Sequence, residues 1–123
     1  MPTYTKIPLS ESSFGRSIVV TQTGVSGNLL HQTPSSTGII DEIWIYATNP
    51  TNFDCLLTTR FGGSGISGDA SALNVEAYAG HTLVVPGFIL QGDGSNPSSI
   101  YASVPSGSQS GVNIYGYVNR ILP

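Results

Sequence analysis

The sequence predicts an all-β fold, an antiparallel β-sandwich with a jelly-roll-like arrangement of strands. Short runs of β-branched and aromatic residues alternate with clusters of Gly, Pro, Asn and Ser along the chain, a pattern typical of sandwiches and barrels. Apolar and polar side chains alternate within many runs, as on strands that bury one face. Apolar residues at sustained helical spacing are hard to find along the chain. The 123 residues suffice for one domain with a single core.

The turn-forming clusters divide the chain into segments predicted to be strands. Pro86 and Gly87 interrupt one run, where we expect them to bend a single strand over 82–91 rather than end it. The predicted strands are 17–22, 28–32, 39–49, 55–61, 73–78, 82–85, 88–91, 99–104 and 111–121.

The charge content excludes some classes of partner. Only 9% of the residues are charged and the net charge is −3. Nucleic-acid binding requires clustered Lys and Arg to neutralise phosphates, and the four basic residues are scattered, so we expect no nucleic-acid partner. No apolar stretch approaches the length of a membrane span, and the first residues lack the order of a signal peptide. We therefore expect a soluble protein made in a cytoplasm, with no membrane partner. The basic residues are Lys6, Arg16, Arg60 and Arg120.

No cofactor or metal is expected. Cys55 is the only cysteine, which excludes an internal disulfide and a multi-thiolate site and predicts a buried thiol. The glycine-rich segment 62–68 lacks the lysine of a phosphate-binding loop. The polar segment 92–98 offers one carboxylate, Asp93, whereas calcium takes six or more oxygen ligands.

The sequence predicts no catalytic site and therefore a protein that is not an enzyme. His31 and His81 are its only histidines, and we expect both to be surface or hydrogen-bonding residues. No serine lies in the Gly-x-Ser-x-Gly motif of a nucleophile elbow. Asp41 and Glu42 are adjacent, so on a strand they point to opposite faces and do not form a pair for glycoside hydrolysis.

Period-two alternation sorts the strand residues into two faces. One face is predicted core: Ile43, Ile45, Ala47, Leu57, Phe61, Leu73, Val75, Ala77, Ile100, Ala102, Val104, Val112, Ile114 and Val118. The opposite face is aromatic rather than charged: Trp44, Tyr46, Tyr101, Tyr115 and Tyr117. Such a row is compatible with a layer beneath the second sheet, with a subunit interface or with a platform that stacks on sugars. We expect a buried layer shared between the second sheet and a subunit contact.

Residues 1–14 are predicted to form an extended N-terminal arm on a single β-sandwich domain of residues 15–123. Pro2 and Pro8 exclude a continuous helix there. The arm carries apolar side chains that would dock on another subunit or on a shell, and the alternative is an edge strand of the same domain. The candidate anchors are Tyr4, Ile7, Leu9 and Phe14.

Several segments, in order along the chain, resemble small virion proteins of tailed bacteriophages, especially those of aquatic and cyanobacterial phages. They are Gly15-Arg16-Ser17-Ile18, Ile40-Asp41-Glu42-Ile43-Trp44-Ile45-Tyr46-Ala47-Thr48-Asn49, 56–62, Leu83-Val84-Val85-Pro86-Gly87 and Gly116-Tyr117-Val118-Asn119-Arg120-Ile121.

This resemblance implies a β domain in the virion, namely a capsid decoration (cement) protein that binds the outside of the shell and stabilises contacts between capsomers. It implies the major capsid protein or other virion proteins as partners, and a homo-oligomer, with a trimer favoured. A neck, tail or head-fibre protein of the virion is an alternative. A carbohydrate-binding β-sandwich module is an alternative of another class.

Overall fold

The computed structural model describes residues 3–21, 27–62, 70–105 and 112–123, which form two antiparallel β-sheets packed on a shared core. The predicted all-β sandwich is confirmed. Within those four ranges there is no helix long and apolar enough to cross a bilayer.

Nine strands are described, and all sheet pairings are antiparallel. In sheet A the order is β1-β9-β4-β7, and the short β2 also pairs with β9; in sheet B it is β3-β8-β5-β6. The strands are β1 (Thr3–Pro8), β2 (Ile18–Val19), β3 (Asn28–Gln32), β4 (Ile40–Thr48), β5 (Cys55–Phe61), β6 (Ala70–Val75), β7 (Thr82–Gln91), β8 (Ser99–Ser103) and β9 (Asn113–Leu122).

Strand β7 runs unbroken from Thr82 to Gln91, as predicted. Gly87 has a φ of 77°, and the pairing of β4 with β7 shifts in register on both sides of Trp44-Ile45. A residue without Cβ adopts this backbone geometry without strain, so Pro86 and Gly87 bend the strand but do not end it.

The predicted strand 73–78 is wrong in its position. Strand β6 ends at Val75, and Ala79 donates a backbone hydrogen bond to Glu76, closing a turn. Tyr78 lies in the left-handed region with a φ of 59°. The apolar residues Ala77 and Tyr78 therefore belong to a turn, which hydrogen bonds hold against the β4–β5 connection.

The N-terminal segment is an edge strand of the sandwich, the alternative to a separate arm. Thr3 pairs with Leu122 and the register continues to Pro8 opposite Tyr117. Leu9 then turns into the core and is 1% exposed. The sandwich therefore includes residues on both sides of the predicted boundary at residue 14, and docking of this segment on another subunit stays a prediction.

The predicted core face lies between the sheets. Ile43, Ile45 and Ala47 of β4 are fully buried. The predicted core residues on β8 and β9 are buried as well, whereas Phe61, Leu73 and Ala77 are half-buried. Cys55 is buried in the same core, as expected of a cysteine among apolar residues.

Gly116 lies where two backbones and a core side chain meet. It pairs with Ile45 across the two central strands of sheet A. A Cβ at this position would collide with the carbonyl oxygen of Trp44 and would lie 3.3 Å from Cδ1 of Leu9. Glycine therefore allows β4 and β9 to pair while Leu9 fills the space beneath them.

We predict that Gly116→Ala lowers the free energy of unfolding by about 1–3 kcal/mol, the usual cost of overpacking. Gly80→Ala is the matched control, because a Cβ there meets nothing within 4 Å. Urea unfolding of both variants measures the effect. Equal stability of the two would contradict the proposed steric role of Gly116.

Candidate functional site

Alternation on the two central strands of sheet A exposes aromatic side chains on its outer surface. Ile43 and Ile45 point into the core, so the residues between and after them on β4 point outward. The register places Trp44 opposite Tyr117 and Tyr46 opposite Tyr115, and all four are half-buried. We call this set the aromatic face: Trp44, Tyr46, Tyr115 and Tyr117.

Trp44 is held from three sides. Its ring stacks with Tyr117 at a centroid distance of 6.3 Å and an interplanar angle of 13°. A Cβ on Gly87 would lie 2.7 Å from Cζ2 of Trp44, so the indole lies against the backbone of β7. The indole Nε1 donates a hydrogen bond of 2.7 Å to Glu42. The ring orientation is therefore fixed before any partner binds.

Charged and polar groups lie around the aromatic face. Glu42 also accepts a hydrogen bond from Asn119, and the bonds from Trp44 and Asn119 hold the pKa of its carboxyl below the ordinary value. Lys6 Nζ lies 4.7 Å from the ring centroid of Tyr117, within the range of a cation–π contact. His81 contacts Tyr115 edge to face at 4.8 Å.

The apolar surface continues onto β7. Leu83 pairs with Tyr46 and Ile89 pairs with Glu42, so both point to the outer side of sheet A. Leu83 is 44% exposed and Ile89 is 58% exposed. Exposed apolar side chains on neighbouring strands form the kind of patch that marks an interaction surface.

On the β1 side, the aromatic face ends at a groove beside the turn that carries Phe14. The groove has a volume of about 500 Å³ and is lined by Lys6, Pro8, Phe14 and Tyr117 among others. Phe14 is fully exposed and has a φ of 56°, which is uncommon for a residue with a side chain. Ser12 Oγ donates a 2.6 Å bond to the Arg16 carbonyl, which helps to hold the turn that presents Phe14.

The structure does not bring all predicted interface residues together. Tyr101 lies on β8 between the buried Ile100 and Ala102, so it faces outward from sheet B, on the other side of the sandwich. Leu9 belongs to the core, and Ile7 is half-buried, whereas Tyr4 is 69% exposed on the outer side of β1.

The expectation of an aromatic layer beneath the second sheet is therefore wrong. The core-facing residues of β4 and β9 alternate with the aromatic face, so its side chains point away from sheet B. No described strand covers them. Of the three arrangements considered for these aromatics, a subunit interface and a sugar-stacking platform are still compatible with the structure.

A cluster of three ionisable side chains lies in the sandwich interior, and sequence reasoning missed it. Asp41 is fully buried and accepts two hydrogen bonds from Arg120, of 2.8 Å from Nε and 3.0 Å from the second guanidinium nitrogen. His31 Nε2 lies 2.8 Å from Oδ2 of the same carboxylate, the oxygen that also accepts the bond from the second guanidinium nitrogen. The cluster connects β3 of sheet B with β4 and β9 of sheet A.

The pKa of Asp41 reflects two opposed effects. Burial works to raise the pKa, but the hydrogen bonds from Arg120 and His31 outweigh it and hold the pKa below the ordinary value of 3.8. The same bond to Asp41 raises the pKa of Arg120. Asp41 is therefore ionised at neutral pH and is compensated by the guanidinium.

His31 has its hydrogen-bonding capacity filled. The backbone N–H of Ser10 donates to Nδ1 at 3.0 Å, so Nδ1 carries no proton and Nε2 carries the one it donates to Asp41. The His–Asp pair resembles part of a hydrolytic triad, but the position of the nucleophile is taken by a backbone amide and the imidazole is fully buried. This cluster supports the fold, and its geometry offers no site for a substrate.

The other candidate chemical groups have structural partners too. Asp41 and Glu42 point to opposite faces, as predicted, and His81 is exposed. Asp93 accepts hydrogen bonds from the backbone amides of Asn96 and Ser95, which hold its pKa below the ordinary value. Among the described residues, no three His, Cys, Asp or Glu side chains come together to hold a metal ion. Segment 62–68 lies outside the described residues except for Gly62.

Comparisons with models of known protein families, with curated proteins and with solved structures found no match.

We predict that Asp41→Asn lowers the free energy of unfolding by about 3–5 kcal/mol at neutral pH, because it leaves a partly buried guanidinium without its counter-charge. The wild-type carboxyl has a folded pKa below 3.8, so its contribution is present above about pH 4 and is lost as the pH falls toward the folded pKa. Denaturant unfolding between neutral and acidic pH measures both effects.

Asp93→Asn is the control for this prediction, because Asp93 is an exposed carboxylate with a lowered pKa. At neutral pH, Asp93→Asn should have most of the wild-type free energy of unfolding. As the pH falls, it should still lose most of the free energy that the wild-type protein loses. A steep acid-dependent loss that persists unchanged in Asp41→Asn would contradict the role given to Asp41.

Proposed function

We propose that this chain is a structural protein of a phage virion without enzymatic activity, a capsid decoration protein that binds the outside of the shell. The observation that carries the proposal is the aromatic face, extended by Leu83 and Ile89 on one side and by Phe14 on the other. Its proposed role is to hold neighbouring capsomers together through contacts with the major capsid protein.

The chemistry of this surface suits stable contact with protein. Trp and Tyr are enriched in interface cores because they combine a large apolar area with a hydrogen-bonding tip. Trp44 is already oriented by Tyr117 and Glu42, so little side-chain freedom is lost on binding. Apolar contacts persist at ionic strengths that screen exposed charge pairs, which suits a particle that meets changing salt.

The strand order supports the finer proposal of a jelly roll. With the two-residue β2 set aside, the two four-stranded sheets have the orders β1-β9-β4-β7 and β3-β8-β5-β6. Jelly rolls with two four-stranded sheets occur in viral capsid proteins and in lectin domains. Because one fold serves many functions, the surface rather than the topology carries the functional argument.

The resemblance to small virion proteins supports the proposed location in the capsid and the proposed homo-oligomer, with a trimer favoured. A neck, tail or head-fibre protein would need the same kind of surface. Quantitative mass spectrometry of purified virions separates these positions. Hundreds of copies per particle would support decoration, and only a few copies would support the neck or tail.

Carbohydrate binding is a second candidate function, favoured by one observation. The rings of Trp44 and Tyr117 are close to parallel, and the carboxylate of Glu42 lies beside them. Aromatic surfaces of this kind also stack on sugar rings. A glycan array with the isolated protein tests this function, and specific binding lost in Trp44→Ala would favour the module over the virion protein.

We predict that Trp44→Ala weakens binding to purified phage shells by about thirtyfold, since a buried hot-spot aromatic contributes about 2 kcal/mol or more. Sedimentation of labelled protein with shells measures the binding. Phe53→Ala is the matched control, because Phe53 is 55% exposed and lies in the β4–β5 connection.

Phe53→Ala should bind shells as the wild-type protein does. Circular dichroism and thermal unfolding establish that both variants are folded. Trp44→Ala that is folded, has an unchanged melting temperature and oligomeric state, and binds shells normally would exclude the aromatic face as the contact surface.

A further inference from the structure

We propose that the outer edge of β6, which no described strand pairs with, pairs with β6 of a second copy of this chain, joining two B sheets into one continuous antiparallel sheet. The inference is independent of the proposed virion function and concerns a surface outside the aromatic face. The edge strands of the two sheets differ in how they are protected against pairing with another strand, and this difference is the basis of the proposal.

Both edges of sheet A carry residues that disfavour further pairing. Strand β1 has Lys6 and Pro8 in its six residues. Strand β7 has Pro86 and Gly87 at its centre, with register shifts opposite them. Proline, lysine and local irregularity are devices by which natural sheets prevent edge-to-edge association.

The β3 edge of sheet B is covered by the chain itself. The backbone N–H of Gln32 donates to Ser10 Oγ at 2.9 Å, and the N–H of Glu11 donates to the Leu30 carbonyl at 3.3 Å. The segment after β1 therefore takes up backbone groups of β3 that its partner β8 does not.

Among the residues that the structure describes, none protects strand β6 in these ways. Its six residues, Ala70-Ser71-Ala72-Leu73-Asn74-Val75, include no proline and no charge. Among the described strands it pairs only with β5. A six-residue uncharged edge is long enough to template another strand.

A second copy of the same strand fits this edge. Antiparallel pairing about a twofold axis makes each contact twice, with the same patch on both subunits. Residues that pair across two strands share a face of the sheet, so the axis must pass beside a residue and not between two residues. The registers that overlap most of the strand place the axis at Ala72 or at Leu73. A charge on the strand would meet its own like charge near that axis, and β6 carries none.

The incomplete burial of Leu73 at the rim of the core also favours a second copy of the chain as the partner of this edge. Leu73 points to the core side of sheet B, opposite the fully buried Leu57, yet it is only half-buried. Ala72 and Asn74 on the other face are exposed. A second copy would bring its own Leu73 to this open rim and extend the apolar layer across the pair.

The experiment compares Ala72→Lys with Thr3→Lys by sedimentation across a dilution series. Ala72→Lys places a like charge on each copy next to the proposed axis and should raise the dissociation constant of pairing by about tenfold or more. Thr3→Lys adds the same charge to the exposed edge strand β1 and should leave pairing unchanged. Hydrogen exchange of the wild-type protein should show that amides of β6 become protected as concentration rises.

Twofold pairing joins chains in even numbers, so dimers, or hexamers made of two trimers, support the proposal when β6 also gains protection. A wild-type protein that is monomeric throughout the series, or that forms only trimers, would overturn it. Association that is unaffected by Ala72→Lys, or that leaves β6 amides unprotected, would overturn it as well.

Discussion

The buried carboxylate of Asp41 is the constraint on which the rest of the structure depends. It lies between the sheets with no exposed area, where an uncompensated charge would be costly. Arg120 compensates it from β9 and His31 binds it from β3, while Ser10 fixes the imidazole from the segment after β1. One charge therefore ties together both sheets and the N-terminal strand, in a chain with few charged residues.

The same constraint sets which residues face outward. A one-residue slip of β4 would bring Asp41 to the surface and Glu42 into the core. It would also move all the remaining side chains of the strand to the opposite face of the sheet. With Asp41 inside, Trp44 and Tyr46 must lie outside, and the register with β9 places Tyr117 and Tyr115 beside them. The aromatic face therefore points outward because Asp41 points inward. A partner that binds this face would contact side chains whose positions are set by the strand register that the buried charge holds.

More of the fold than of the candidate site could be predicted from the sequence. Strands β3 and β5 match their predicted bounds, because turn residues flank clear apolar runs. Alternation predicts correctly that Trp44 faces outward. It does not show which sheet a strand joins. The prediction therefore grouped Tyr101 with aromatic residues that lie on the other side of the sandwich. Asp41 shared the parity of Ile43 and Ile45, which was the available signal for a buried charge. Its partners are 10 and 79 residues away in sequence, and no local pattern identifies them.

The tautomer of His31 tests this account most directly. Long-range ¹H–¹⁵N correlation spectra at neutral pH distinguish a protonated from an unprotonated ring nitrogen, and the exposed His81 provides an internal reference. We expect Nε2 of His31 to carry the proton, which it donates to Asp41, and Nδ1 to be unprotonated and to accept the Ser10 amide. Protonation at Nδ1, or a ring N–H proton that exchanges rapidly with solvent, would contradict the buried cluster and the strand register derived from it.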